Sequence, residues 1–167
     1  MNSLPPHPRP HPHDNMKYSE YIQKEIKCPF CHKKRSIVHA NKKAYITYNL
    51  APYHPHHMLV VPRRHVVSYE KLHKLEEEAI NELIKVGVSM LNHLGYRDYS
   101  VLVRNGEKSG KSVRHIHYHL VPKVQLICVP DSAPKEIKDF VRDILTPKQI
   151  KKTMADFKQA LAKVRDT

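Results

Sequence analysis

Polar and apolar residues alternate most regularly between Arg114 and Pro122, in the run Arg-His-Ile-His-Tyr-His-Leu-Val-Pro. A period of two predicts a half-buried β-strand. Because side chains at positions i, i+2 and i+4 share one face of a strand, His115, His117 and His119 are expected to point the same way. The residues between them would face the core.

A second pattern, with apolar residues every three or four positions, covers residues 68–94 and predicts one long amphipathic helix. Ser68 is expected to be its N-cap, and Gly95 is expected to end it. The predicted buried stripe consists of Leu72, Leu75, Ala79, Leu83, Val86, Met90 and Leu94. Packing alone explains this stripe, so we assign it no chemistry.

Shorter patterns complete the predicted secondary structure. Strands are predicted at 36–39, 44–48, 58–61, 99–103 and 126–129. Further helices are predicted at 18–27, 134–145 and 147–165, the last two with proline near the first turn. Residues 1–16 are rich in proline and histidine and are expected to be disordered. The fold class indicated is α+β, with about five antiparallel strands and the long helix packed on them.

Length and composition limit the classes of protein to consider. With 167 residues, 40% of them hydrophobic, the chain can form one domain with an ordinary core. No apolar run approaches the roughly 18 residues of a membrane-spanning helix, so no membrane association is expected. The first residues lack the apolar segment of a secretory signal. We therefore expect a cytoplasmic protein, or a nuclear one in a eukaryote.

The formal net charge of +13 indicates an affinity for polyanions. A basic surface attracts nucleotides, nucleic acids and acidic membranes alike, and it does not choose among them. No sequence pattern of a common DNA- or RNA-binding module accompanies the charge. Nucleic-acid binding and a simply solvated basic surface therefore both remain open, and for the helix at 147–165 we favour the solvated face.

The Cys28-Pro-Phe-Cys31 turn is a candidate metal site. The chain has three cysteines, which argues against a disulfide framework and for metal binding in a reducing compartment. A Cys-x-x-Cys pair is either half of a tetrahedral zinc site or a redox pair. A redox pair needs a preceding thioredoxin-like strand, which is missing, whereas histidines are abundant as further zinc ligands. We therefore favour zinc.

The three alternating histidines can serve phosphoryl chemistry. Neighbouring rings on one strand face lie about 6.5 Å apart, so three cannot share one ion without a bulge. Either two of the histidines bind one metal ion and the third is spare, or the three have separate tasks. In the second case, one neutral imidazole can attack phosphorus while the others hold phosphate oxygens. The loop Asn105-Gly-Glu-Lys-Ser-Gly-Lys-Ser112 leads into these histidines and could offer backbone N–H groups to phosphate. The alternative is an ordinary hairpin loop.

The run His-Ile-His-Tyr-His-Leu-Val resembles the signature of the histidine triad (HIT) superfamily of nucleotide hydrolases and transferases. The resemblance extends from Cys28 to about Lys123. The stretch from Pro55 to His65 is similar to a second family motif, although His56 stands where relatives carry glycine. The resemblance implies a HIT-like fold, typically a homodimer. The implied domains are a tail at 1–16, a HIT domain at 17–125 and a C-terminal helical extension at 126–167.

The family's chemistry implies that His117 is the nucleophile. It would cleave dinucleoside polyphosphates at the α-phosphate through a covalent nucleotidyl-histidine, which water or phosphate then releases, so the enzyme is a hydrolase or alternatively a nucleotidyltransferase or phosphorylase. The alternatives are a purine nucleoside phosphoramidase, a nucleic-acid end-processing enzyme that removes adenylate using its basic surface, and a nucleotide-binding module with little catalysis. The implied substrate-binding residues are Asn49, His57, Asn105, Gly110, Ser112 and His119.

The zinc-bearing branch of the superfamily and the related galactose-1-phosphate uridylyltransferases imply the metal ligands. Carried onto this chain, they are Cys28, Cys31, His65 and His115, a closed and therefore structural site for one Zn²⁺ per chain. One position departs from the family pattern. Relatives carry asparagine or glutamine for phosphate where this chain has Arg104. Either Asn105 takes that role, or Arg104 adds charge for a longer polyphosphate.

Overall fold

A computed structural model describes residues 27–32, 36–109, 111–123 and 144–166 of the chain. Within them, five strands form one antiparallel sheet in the order β1-β2-β3-β5-β4. The strands are β1 Ile37–Ala40, β2 Ala44–Tyr48, β3 Met58–Pro62, β4 Tyr99–Val103 and β5 Tyr118–Pro122. The α+β fold is confirmed, and the predicted bounds of the first four strands hold to within a single residue.

The histidine strand is shorter than predicted. Pairing with β3 and β4 begins only at Tyr118, so His115 and His117 precede the strand and His119 alone lies within it. A backbone bond from Ile116 N to Val66 O at 2.7 Å ties the preceding segment to the residues after β3. The alternation itself is confirmed, because the three histidines are buried while the residues between them join the helix-side core.

The helices of the described residues are α1 Pro29–His32, α2 Lys74–His93 and α3 Pro147–Arg165. The prediction for α3 is confirmed. The long helix α2 begins later than predicted, because a 3-10 turn at Tyr69–Lys71 and an extended residue, Leu72, separate Ser68 from it. His73 is the N-cap instead of Ser68. Gly95, with φ of +87°, follows the helix end as expected.

One face of α2 packs on the sheet. Its buried residues are Glu76, Ile80, Leu83, Gly87, Met90 and Leu91. The predicted stripe is wrong at Leu75, which is 64% exposed because it lies in the first turn, on the side away from the sheet. At Gly87 the helix approaches the strand that carries His119, since a Cβ there would lie 3.3 Å from Leu120 Cδ2.

The sheet separates two apolar clusters. Both long helices lie on one face, where Phe157 and Leu161 of α3 join the core formed by α2 and the sheet. The opposite face carries a smaller cluster of Phe30, Tyr45, Leu59, Val61 and Val113. Leu59 is paired with His119, and paired residues project to the same side of a sheet. The histidines therefore lie on the face without the long helices.

Several predictions fall on residues outside the described ranges. These are the tail at 1–16, the helix at 18–27 apart from Lys27, the strand at 126–129 and the helix at 134–145 apart from its last two residues. Among the described helices, none combines the length and the apolar character needed to cross a membrane.

Candidate active site and metal centre

Four predicted metal ligands come together beyond the end of β3 and the start of β5, two interior strands of the sheet. One ligand atom from each of Cys28, Cys31, His65 and His115 lies within 4.8 Å of all the others. Sγ of Cys28 lies 3.5 Å from Nδ1 of His115, and Sγ of Cys31 lies 3.3 Å from Nδ1 of His65. Tetrahedral zinc bonds of usual length place sulfur and nitrogen ligands about 3.5 Å apart. The donor set and its spacing therefore fit Zn²⁺.

The orientation of His115 suits a metal ligand. Its Nε2 lies 2.9 Å from the carbonyl oxygen of Pro62, and because a carbonyl only accepts, Nε2 must carry the proton. The lone pair is then on Nδ1, which faces both sulfur atoms. Burial, with a contribution from the nearby His65, lowers the pKa of His115 to about 4, so the ring is neutral at physiological pH.

Cys31 needs a nearby cation if its thiol is to ionise. Burial, reinforced by the hydrogen bond with Cys28, raises the pKa of the Cys31 thiol to about 11. Two thiolates side by side are unfavourable unless a positive charge lies between them, and a coordinated metal ion deprotonates a thiol outright. The chemistry of the four donors is therefore that of a closed Cys₂His₂ zinc site.

His117 is buried, and the backbone determines its tautomer. Its Nδ1 lies 2.8 Å from the carbonyl oxygen of His115 and must donate to it. In the neutral ring the lone pair is then on Nε2. A neutral imidazole with its lone pair directed away from the backbone is a nucleophile, which is the chemistry that the sequence predicts for this residue.

A chain of hydrogen bonds determines the tautomer of His119. The backbone N–H of Tyr53 donates to Nδ1 of His57 at 3.2 Å, so the other nitrogen of that ring, Nε2, carries a proton. This Nε2 lies 3.0 Å from Nδ1 of His119 and donates to it. The proton of His119 is then on Nε2. With its ring centroid 4.8 Å from that of His117, His119 can offer an N–H to an oxygen bound at the nucleophile.

The other predicted substrate-binding residues do not all lie beside the histidine cluster. Asn49 is only 5% exposed; its Oδ1 accepts from Ala51 N, and its Nδ2 lies 3.3 Å from both ring nitrogens of His57, so it packs against that ring. The side chain of Asn105 accepts a hydrogen bond from Tyr69 N at 3.0 Å, at the 3-10 turn before α2. Ser112 is exposed, and Gly110 lies outside the described residues.

Phe30 is a residue of the site that our sequence analysis missed. Its ring lies 5.7 Å from that of His115 and 5.1 Å from that of His117, so it contacts both a predicted metal ligand and the predicted nucleophile. The available signal was its place inside the Cys-x-x-Cys turn, since any residue there must lie beside the ion that the turn binds. Phe30 packs the metal centre directly against the candidate catalytic ring.

Arg104 lies at the edge of the histidine cluster. Strands β4 and β5 pair Val103 with Tyr118, and the next residues along the two segments are Arg104 and His117. The guanidinium donates to the hydroxyl of Tyr53 at 3.3 Å, and the Tyr53 ring stacks on His57 with centroids 5.6 Å apart. The permanent positive charge of Arg104 is thus held next to Tyr53, and Tyr53 in turn contacts His57 of the histidine cluster.

A family model described as the HIT domain matches residues 32–126, more than half of the chain. The chain belongs to the HIT family. Among solved structures, this HIT protein is similar to a hypothetical histidine triad nucleotide-binding protein of Sulfolobus tokodaii, with a TM-score of 0.68, 16% identity, and coverage of 83% of this chain and 94% of that one. It is also similar to a Zn-bound histidine triad family protein of Mycobacterium smegmatis, with a TM-score of 0.60, 15% identity, and coverage of 89% and 94%. Both similarities support the HIT-like fold.

Two curated relatives carry an activity in their names. An adenosine 5'-monophosphoramidase of Schizosaccharomyces pombe is 31% identical over 75 residues, which are 45% of this chain and 54% of that protein. An AP-4-A phosphorylase of Mycobacterium tuberculosis is 30% identical over 89 residues, which are 52% of this chain and 46% of that protein. The HIT protein thus matches about half the length of each.

Proposed function

We propose that this HIT protein hydrolyses dinucleoside polyphosphates at the α-phosphate through a covalent nucleotidyl-histidine. The observation that carries the proposal is the bond from His117 Nδ1 to the carbonyl oxygen of His115, because in the neutral form of this buried ring it leaves the lone pair on Nε2. The family comprises nucleotide hydrolases and transferases, and the name of the M. tuberculosis relative specifies a dinucleoside polyphosphate.

The reaction has two steps. Nε2 of His117 attacks the α-phosphorus, a bond forms between nitrogen and phosphorus, and the bond to the bridging oxygen breaks with its electron pair passing to the leaving polyphosphate. Water then attacks the same phosphorus, the electrons of the nitrogen–phosphorus bond return to Nε2 of His117, and the proton that the water loses passes to solvent. His119 donates its Nε2–H to a phosphate oxygen in both steps, and Ser112 would add a second donor.

One structural Zn²⁺ per chain belongs to this proposal, held by Cys28, Cys31, His65 and His115. The ion supplies no reacting group, since four protein ligands close its coordination shell. The ligands instead fix the turn that carries Phe30 against His117. A homodimer and a cytoplasmic location, which the family resemblance and the composition suggest, remain predictions.

The substrate class has two candidates, and Arg104 favours one of them. A guanidinium beside the nucleophile can pair with phosphate oxygens beyond the one attacked, which a polyphosphate has and a phosphoramidate lacks. The identity to the S. pombe phosphoramidase supports the second candidate. The side chain of Asn105 already accepts a hydrogen bond from Tyr69 N, which holds it at the 3-10 turn. The geometry therefore favours Arg104 over Asn105 as the phosphate contact.

Nucleic-acid end processing receives less support from the placement of the positive charge. The exposed lysines of α3 include Lys148, Lys151, Lys152 and Lys158, but this helix packs on the face of the sheet opposite the histidines. A strand bound along it would not lead directly to His117.

The test is the His117→Ala variant. We expect a fall in turnover of about 10³-fold or more, with nucleotide binding retained, because only the nucleophile is removed. The wild-type protein should form an acid-labile nucleotidyl adduct on one histidine during a rapid quench with labelled substrate. His93→Ala, at the exposed end of α2, is the matched control. If His117→Ala keeps most of the activity, the assignment of the nucleophile is wrong.

A further inference from the structure

A cluster of polar side chains joins helix α3 to the segment between β2 and β3. Nε2 of His56 lies 3.0 Å from Oδ2 of Asp156, and its Nδ1 lies 2.7 Å from the hydroxyl of Tyr96. His56 is largely buried, with a side-chain exposure of 15%, and Asp156 is partly buried, with 30%. A histidine with a partner on each ring nitrogen is fixed in position and orientation.

Two further contacts hold the same segment from the same side. The hydroxyl of Thr153, one helical turn before Asp156 along α3, donates to the carbonyl oxygen of Pro55 at 3.3 Å. Just before the helix, Leu145 N donates to Leu50 O at 2.9 Å. These contacts lie at both ends of the connection between β2 and β3. The C-terminal segment therefore fixes this connection at several points.

The other side of this connection faces the histidine cluster. His57, the next residue after His56, donates to His119 and accepts from Tyr53. One residue therefore bonds to the C-terminal helix while its neighbour bonds to the catalytic cluster. A shift of the backbone at this point would move both rings together, because a single peptide bond joins them.

Helix α3 lies outside the part of the chain that matches the HIT domain, which ends at residue 126. It nevertheless shares the main core, since Met154, Phe157, Ala160 and Leu161 pack in the same cluster as the sheet and α2. The Phe157 ring also lies 5.8 Å from that of His56. The helix is thus a rigid support that packs against the core and contacts the catalytic connection.

We propose that Asp156 and His56 are positioning residues, through which the C-terminal helix holds His57 and thereby the N–H that His119 offers to the substrate. This inference rests on the proposed function for its kinetic readout, but the geometry that it predicts can be measured without any activity. The proposal places neither residue in contact with the substrate. Their loss should therefore reduce turnover and leave substrate affinity nearly unchanged.

The experiment compares Asp156→Ala with Asp156→Asn, which keeps an oxygen that can accept from His56. For Asp156→Ala we expect kcat to fall about tenfold with KM within about threefold, and for Asp156→Asn we expect most of kcat to return. Asp166→Ala, an exposed acid at the end of the same helix, is the matched control and should behave as wild type. Thermal unfolding of each variant shows whether the helix remains packed.

A second readout is independent of catalysis. Nitrogen-15 spectra of the histidine side chains should show the His57 and His119 rings shifted in Asp156→Ala and restored in Asp156→Asn. Unchanged ring signals in a folded Asp156→Ala protein, or an unchanged kcat, would overturn the inference. If wild-type protein cleaves no nucleotide, the proposed function fails, and the ring signals alone decide whether α3 positions the cluster.

Discussion

Removal of the proposed zinc ion should destabilise this HIT protein by an amount that depends on how many residues separate its ligands in the sequence. Cys28 and His115 are 87 positions apart in sequence, and Cys31 and His65 are 34 apart. In the chain-entropy treatment of a cross-link, closing loops of these lengths stabilises the folded state by about 4.6 and about 3.8 kcal/mol. The two closures share one ion and are not additive, so we expect roughly 4–5 kcal/mol in total.

The assay is thermal unfolding of reduced protein with and without a strong chelator, together with metal analysis. A change of 1 kcal/mol shifts the Tm of a domain of this size by about 2–4 °C, so the chelator should lower Tm by about 8–20 °C. Purified protein should contain about one zinc ion per chain. Cys31→Ser should unfold at the lower temperature and respond little to the chelator, whereas the exposed control His93→Ala should respond as wild type does.

Two results would refute this reasoning in different ways. Protein purified without metal that is nevertheless stable and active would show that the four residues are not a zinc site. Protein that loses stoichiometric zinc while its Tm moves by less than about 3 °C would show that the ion binds but that the cross-link contributes little. The second result would also mean that the Cys-x-x-Cys turn keeps its place by packing alone, through Phe30.

The remaining predictions concern one substrate contact and one structural ion pair. Arg104→Gln should lower the ratio of kcat/KM for diadenosine tetraphosphate to kcat/KM for adenosine phosphoramidate by about 10- to 100-fold, as loss of a charge-assisted hydrogen bond predicts. The control Arg97→Gln, at an exposed position, should leave this ratio unchanged. An equal ratio in the two variants would show that Arg104 does not contact the phosphates. Glu76→Gln should cost about 1.5–3 kcal/mol in chemical denaturation, since Arg64 donates to both carboxylate oxygens at 2.6 and 2.8 Å. The pKa of Glu76 falls from 4.5 to about 2, chiefly through Arg64, so this stabilisation should be complete above pH 4.5 and decline as pH falls towards 2 in wild type only. A parallel pH dependence in both proteins would exclude this carboxylate as its source.

The histidine alternation predicted which side chains share a face, but not where strand pairing begins. The period of two depends only on neighbouring residues, so the buried placement of His115, His117 and His119 could be predicted. The start of β5 at Tyr118 depends on the partners that β3 and β4 offer, and these lie far away in sequence. For the same reason the 3-10 turn that delays α2 could not be predicted from its apolar stripe.

The four proposed metal ligands could be predicted from the family resemblance, whereas the position of the proton on each histidine ring could be assigned only from the structure. The proton of His115 depends on a carbonyl of Pro62, and that of His119 depends on the backbone N–H of Tyr53. Neither partner is marked by its residue type, because every residue has a carbonyl and almost every residue has an N–H. Sequence patterns identify side chains, and here the decisive partners are main-chain atoms.

The bond between His117 and the carbonyl oxygen of His115 has an evolutionary consequence. A main-chain acceptor is present whatever amino acid occupies its position, so no single side-chain replacement nearby can delete it. A descendant protein that lost the imidazole at position 115 would lose the proposed zinc site and its stabilisation, but it would keep the carbonyl oxygen that orients Nδ1 of residue 117. Only a change in backbone path, such as an insertion between the two residues, would redirect that nitrogen.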